Sequence, residues 1–314
     1  MAWVTWRQHR LQAYSVLGLV AALAVAGLVT DLPIRAAYHR HALSSCLPPT
    51  ARSGCDLIVS HFRSEFGSRV AALRYLVVVP ALAGLLLGAP LLAREFEHGT
   101  HRLAWTQGVT RRRWLLSKSL LLALGSALGG VALAALAMWW RQPFDNLDGR
   151  MGPNAFDVEG LVVPAYAVAA LAFGVLAGLA LRRTLPAMSL AVGLFLLSRL
   201  GVEKLLRPHY LAPAHRSVPG VGPLAQSRDW VLSNALVDAA GRTISTTRED
   251  SAIVHAQHAG IDPQSYLATL GWHRAVTYQP AGRFWTFQAI EAGIFVLLAA
   301  VALLLALRLV RRAP

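Results

Sequence analysis

Leu161-Val-Val-Pro-Ala-Tyr-Ala-Val-Ala-Ala-Leu-Ala-Phe-Gly-Val-Leu-Ala-Gly-Leu-Ala-Leu181 is an apolar run without a charged side chain. Wound as an α-helix it would measure about 30 Å, the thickness of the hydrocarbon core of a bilayer. Five further runs of similar length flank it: Leu11–Thr30, Leu73–Ala93, Trp114–Trp140, Leu185–Leu206 and Thr286–Leu307. The run Leu185–Leu206 is interrupted near its end by Arg199, Glu203 and Lys204. Apolar residues make up 55% of the 314, and the mean hydropathy is +0.46, both above the level of a soluble domain. One such run fits a buried helix of a soluble core; six in one chain do not. The expected fold class is an all-α polytopic membrane protein with six transmembrane helices.

Orientation follows from where the charges fall. The formal net charge is +14. With the N-terminus in the cytoplasm, Arg7, Arg10, Arg94, Arg102, Arg111, Arg112, Arg113, Lys118, Arg182, Arg183, Arg308, Arg311 and Arg312 lie inside, accompanied by only two acids, Glu95 and Glu97. Short inner loops dense in Arg are the positive-inside pattern, and the opposite orientation would expose the triple-arginine loop. Both termini are therefore expected in the cytoplasm of a multi-pass protein of the bacterial cell membrane, the source being read from the near-exclusive use of arginine over lysine. Basicity is accounted for by topology and anionic lipid, so membrane lipid is a partner and nucleic acid is not. Ala24-Val25-Ala26 resembles a signal-cleavage site but lies within the first apolar run, which reads as retained.

The segment 1–10, with Trp3 and Trp6 beside Arg7, His9 and Arg10, fits an N-terminal interfacial amphipathic helix. Segment 11–206 then carries transmembrane helices 1–5, with the cytoplasmic loop 94–113 between the second and third. Segment 207–284 is an extracytoplasmic domain of mixed α/β character, and 285–314 holds the sixth helix and a cytoplasmic tail. In the outer domain, Asp229–Val237 and Arg242–Thr247 flank a turn at Asp238–Gly241 and read as a hairpin. Ser251–Leu270 reads as helix broken near Gly260–Pro263, and Ala275–Tyr278 as a strand. Tyr75, Trp114, Trp139, Trp140 and Trp285 read as aromatic anchors at membrane edges. Gly84/Gly88, Gly125/Gly129 and Gly174/Gly178 put small residues four apart in three successive spans, which lets helix backbones approach closely.

Cys46 and Cys55 stand in the first outer loop, a compartment where disulfides persist. A bridge there would close a small loop through Pro48-Pro49 and Gly54; two independent thiols are the other reading. No metal site is expected, since His255 and His258 share a helix face but His209, His215 and His273 are scattered. There is no phosphate-cradling G-x-x-x-x-G-K-[ST] and no H-E-x-x-H or G-x-S-x-G. The middles of the first four spans lack ionisable groups of the kind that ion-coupled pumps use. Near the outer ends of the last two spans, Arg199 and Glu203 stand at i,i+4 and can pair on one helix face, and Glu291 on the sixth span could join them. These three residues are candidates for a polar patch on a substrate path, with snorkelling ion pairs as the alternative.

The loop Arg94-Glu-Phe-Glu-His-Gly-Thr-His-Arg-Leu-Ala-Trp-Thr-Gln-Gly-Val-Thr-Arg-Arg-Arg-Trp114 carries the strongest functional signal. Gly99 and Gly108 bracket about two helical turns, with Thr100 as N-cap and Gly108 as stop. Leu103 and Trp105 provide an apolar face among His101, Arg102 and Gln107, and Thr110 can cap the third span. Such a segment can lie on the inner membrane surface and meet a cytoplasmic partner.

From Arg94 to Lys118 the chain resembles ABC-2 type transporter permeases, particularly their bacterial drug- and antibiotic-export branch. In that family Glu-x-Glu-x-Gly-Thr after the second span leads into a short coupling helix and a basic turn. Tyr278-Gln-Pro-Ala-Gly-Arg-Phe-Trp-Thr-Phe-Gln-Ala-Ile-Glu291, before the last span, continues the resemblance; the outer domain here is larger than the family's minimal pattern. The resemblance implies a non-enzymatic permease subunit that exports a drug, antibiotic, peptide or lipid. It implies a second permease copy, identical or closely paralogous, and a separate ABC ATPase subunit that carries ATP and Mg, with no cofactor on this chain. Glu95, Glu97, Gly99, Thr100, His101, Arg102, Leu103, Trp105 and Gln107 would then form the ATPase-coupling segment. The competing readings are a membrane-anchored sensor or immunity protein that binds an extracellular ligand, and a polytopic membrane enzyme.

Overall fold

The structure is a computed structural model that describes residues 2–47, 54–99, 110–219 and 228–312. It contains six helices long and apolar enough to cross a membrane and a small three-stranded sheet. The spans are α1 (Ala2–Arg40), α2 (Cys55–Glu97), α3 (Arg111–Asp148), α4 (Val162–Leu181), α5 (Thr184–His209) and, after the sheet domain, α8 (Phe284–Arg312). One end of the bundle carries Glu97, Arg111, Arg182, Arg183, Arg308 and Arg311 and is called the basic end. The other carries the sheet domain and is called the domain end.

The run that opened the sequence, α4, is the axis of the bundle. Of its apolar window 83% is buried, against 28% for α1, α3, α5 and α8. Only a helix that is apolar all round can sit there, because every face meets another helix. Glycines set how closely its neighbours approach. Gly84 and Gly88 of α2 lie on Ala170, Leu171 and Gly174 of α4, and Gly178 faces the Ala89 carbonyl. The paired small-residue motifs of the second and fourth spans thus face one another. That of the third span does not: no described atom lies within 4 Å of a Cβ built on Gly125 or Gly129, and the close contact is made by Gly130 on Pro164.

Several helices run longer than the apolar pattern predicts. α1 has 39 residues, about 58 Å at 1.5 Å per residue, and so projects beyond a ~30 Å core. It is unbroken at residue 10, so among the described residues Ala2–Arg10 runs on into the first span as one helix. α2 begins at Cys55, well before the expected Leu73, and contains a 3-10 stretch (Ala72–Val77) and a π turn (Ala83–Gly88). Each irregular stretch is followed within three residues by a proline, Pro80 or Pro90, which removes the N–H that an α-helical bond would need. α5 repeats the device, with a π turn at Val202–Leu206 before Pro208.

The domain-end parts of α1 and α2 form a hairpin around Ile34, Tyr38, Leu43, Phe62, Phe66 and Phe144. It is closed by a disulfide between Cys46 and Cys55, whose Cα atoms are 5.5 Å apart. The bridge pairs residues nine apart, and loop-closure entropy over such a span is worth about 2–3 kcal/mol. Cys46→Ser with Cys55→Ser is therefore expected to lower the thermal midpoint in detergent, and maleimide should label the wild type only after reduction. Labelling without reductant would refute the bond.

In the sheet domain the strands are β1 (Ala214–Pro219), β2 (Trp230–Val237) and β3 (His273–Gln279), all antiparallel in the order β1-β3-β2. β3 is central, pairing His215 with Thr277 and, on its other side, Asn234 with Val276. The expected hairpin partner of β2 is corrected here. The turn at Asp238–Gly241 forms, with the Asp238 carboxylate accepting from the Ala240 and Arg242 N–H groups at 2.9 Å each. Those bonds hold the Asp238 carboxyl below its usual range, the Arg242 N–H first among them. The returning chain makes only a single bridge, Val237 to Thr243, because Ser245 already starts helix α6 (Thr246–His258). The strand that completes the sheet comes from β3, beyond α6 and α7 (Pro263–Thr269). The helix break expected near Gly260–Pro263 is present, with Gly260 at φ +67°.

Candidate functional site

Two polar assemblies lie at opposite ends of the bundle. At the basic end, α2 finishes with Glu95-Phe96-Glu97, and each of these residues meets a different neighbour. Glu95 forms an ion pair with Lys118 of α3, a largely buried cation stacked 5.2 Å from the Trp114 ring. Phe96 lies under the Arg182 guanidinium at 5.3 Å. Glu97 accepts from the Thr184 backbone N–H at 2.9 Å and from its hydroxyl at 2.5 Å. Gly99, at φ +68°, then ends the helix in the left-handed conformation that suits glycine. On the far side of the loop, Thr110 caps α3 by accepting from the Arg113 N–H at 3.3 Å, as its position predicted. Thr100, His101, Arg102, Leu103, Trp105 and Gln107 lie outside the described residues.

Trp114 is corrected from membrane anchor to core. It is 1% exposed, packed among Leu91, Leu92, Leu115, Val175 and Leu179. Tyr75, Trp139 and Trp285 are exposed at 62%, 40% and 52%, whereas Trp140 is half-buried against Gly27 of α1.

At the domain end the three residues singled out on the fifth and sixth spans fall into one network. Arg199 pairs with Glu203 at 3.1 Å, the i,i+4 contact that their spacing predicted. It also pairs with Asp157 from the connection before α4. Glu291 does not touch Arg199 or Glu203. It is fully buried and binds Arg207, whose Nε and Nη2 lie 2.8 and 2.6 Å from its two oxygens. The Tyr210 hydroxyl at 3.0 Å and the Tyr166 hydroxyl add two further donors to Glu291. Arg207, 1% exposed, also binds Asp157 at 2.6 Å and lies 4.3 Å from the Phe156 ring. Burial pushes the Asp157 carboxyl up, against the downward pull of Arg207 and then Arg199.

Beside this network is another. Glu159, fully buried, holds Arg141 at 3.0 Å and Arg150 at 2.7 Å, and Arg141 reaches Asp145 at 3.3 Å. Neutral bonds extend the same seam: Gln288 donates to the Phe156 carbonyl at 2.9 Å and accepts from the Val162 N–H at 3.0 Å. Gln279 donates to the Pro208 and Leu211 carbonyls at 3.1 and 2.8 Å, rooting β3 on the end of α5. Every acid in the seam faces a guanidinium, so the arrangement spends its charge internally, which buried ions require.

Arg207, Asp157, Glu159 and Tyr166 were not singled out from the sequence. Arg207 reads there as the first residue of the outer domain. Arg207 extends the Arg199/Glu203 spacing to i+8, on the same face of α5, across the π turn at Val202–Leu206. The four-residue spacing Arg199, Glu203, Arg207 was the available signal.

Six apolar helices, with ionic groups gathered at the two ends, define a multi-pass membrane protein. A family model described as ABC-2 membrane transporter related matches residues 17–207, and the chain belongs to that family. It is thus a permease component of an ABC transporter, a transport subunit not itself catalytic, in a family whose members pair with an ATPase subunit. No curated protein and no solved structure gives a significant match.

Proposed function

We propose that this chain is the membrane-spanning subunit of an exporter, driven by a separately encoded ATPase that docks on the loop 94–113. Two copies of the permease, identical or closely related, would enclose the path, and both termini would lie in the cytoplasm of a bacterial cell membrane. The cargo would be hydrophobic or amphipathic: a drug, antibiotic, peptide or lipid. The observation that carries the reading is the anchoring of both flanks of that loop, the end of α2 by Glu95 on Lys118 and Glu97 on Thr184, and the start of α3 by the Thr110 cap. A force applied to a segment with rigid flanks moves the helices that hold it, whereas a slack connection would absorb it. ATP and Mg belong to the partner in this scheme.

The domain-end network is read as a lock and not as substrate lining. Each of its carboxylates is paired with a guanidinium, and Arg207, Glu291 and Glu159 are out of contact with solvent, although Arg207 Nη1 and Arg199 Nε are left without a hydrogen-bond partner.

The test is co-purification with the cognate ATPase, followed by ATP-driven transport in inside-out vesicles. Leu103→Ala with Trp105→Ala is expected to weaken the complex and cut export by about tenfold or more, as loss of an apolar anchor at a docking surface does. Survival of both complex and export would refute docking at this loop.

A further inference from the structure

We infer that Glu97 is a positioning residue that joins the end of α2 to the start of α5, so that the two move as one piece. The inference rests on the transport reading above. α5 begins with unsatisfied backbone N–H groups, as every helix does, and its N-cap residue Arg183 supplies no side-chain bond of its own. The missing acceptor arrives from another helix: the Glu97 carboxylate takes the Thr184 N–H at 2.9 Å and the Thr184 hydroxyl at 2.5 Å. A carboxylate at that position also meets the positive end of the helix dipole.

The turn before α5 is tight. Arg182 holds φ +52°, a conformation uncommon for a residue with a side chain. Its guanidinium lies over Phe96, the residue beside Glu97, so two adjacent side chains of α2 seize the α4–α5 turn. Glu95, on the other flank, grips Lys118 of α3. Successive helix residues point about 100° apart, which is why three consecutive side chains can reach three different places.

α5 continues from this grip to Arg199 and Glu203, and so into the domain-end network. A displacement of the α2 end is thereby delivered along α5, about 28 Å of helix from Thr184 to Glu203, to the lock at the opposite end. Glu97 is the element that makes the transfer.

The experiment uses the full chain reconstituted with its ATPase in proteoliposomes. Glu97→Ala is expected to lower the export per ATP hydrolysed by the assembled complex about tenfold, a coupling free energy of about 1.4 kcal/mol. Glu97→Gln keeps an acceptor oxygen for the Thr184 N–H and loses less. In Glu97→Cys with Thr184→Cys, oxidation should form a bond between the two positions and raise export above that of the unoxidised variant. Wild-type export by Glu97→Ala would overturn the inference, as would loss of the ATPase from that variant, which would make Glu97 a docking contact. Abolition of export on oxidation would do the same, by showing that the two helices must part. A wild-type complex that hydrolyses ATP but exports nothing would instead refute the transport reading.

Discussion

Arg207→Met is expected to lose about 3–5 kcal/mol of stability, the cost of leaving a buried ion without its partner. Glu291 has no other cation within bonding distance among the described residues; its remaining donors are the hydroxyls of Tyr166 and Tyr210. Asp157 would keep Arg199, so the damage concentrates on Glu291 and on the junction of α4, α5 and α8. Loss of monodisperse protein in detergent and a lower thermal midpoint are the measurements. The paired variant Arg207→Met with Glu291→Gln removes both charges together and should recover most of the loss, because a buried pair contributes little net stability while a broken one costs much. Lys204→Ala makes the contrast. That ammonium is 69% exposed beside Glu203, and its removal should cost under about 1 kcal/mol. Arg207→Met as stable as the wild type would show that the network is not a lock.

Gly174→Leu is the second large effect. A Cβ at Gly174 would lie 2.7 Å from the Ala89 nitrogen and 2.8 Å from the Gly88 Cα. These are backbone atoms of a neighbouring helix, which cannot rotate aside as a side chain would. The α2–α4 contact must open, at a cost of about 3 kcal/mol, the upper part of the range for overpacking a core. Gly125→Leu and Gly129→Leu carry the same change in an identical motif, yet a Cβ at either position meets no described atom within 4 Å. They should be neutral or stabilising by up to about 1 kcal/mol through helix propensity. Equal destabilisation at all three positions would contradict the packing described.

Much of the fold was legible in the sequence because a bilayer imposes a length. The six runs name the six spans, since nothing shorter crosses the core and nothing charged crosses it cheaply. Local chemistry was legible too. Gly99 ends a helix, Thr110 caps one, Asp238–Gly241 makes a turn, and Cys46 finds Cys55. Arg199 meets Glu203 because four residues span one helical turn. Each of these depends on atoms close in the chain.

Interactions between distant segments were not legible. β2 looked for a partner just beyond its turn and found β3 instead, because the intervening chain became helix. The three Gly-xxx-Gly motifs are equal in sequence, and only the arrangement of helices shows that two face each other while the third faces away. Arg207 changed from domain boundary to buried ion because its partners, Asp157 and Glu291, come from segments far away in the chain. By itself, then, the sequence determined how many helices cross the membrane, where they lie along the chain, and that Leu161–Leu181 is apolar on every side. The tertiary structure decided that this run is the axis of the bundle, that Glu95 and Glu97 grip different helices, and that Glu291 belongs to Arg207. The physical reason is one of range: hydrophobic length, caps and i,i+4 pairs are set by neighbours in sequence, whereas a buried charge finds its partner only when the helices have packed.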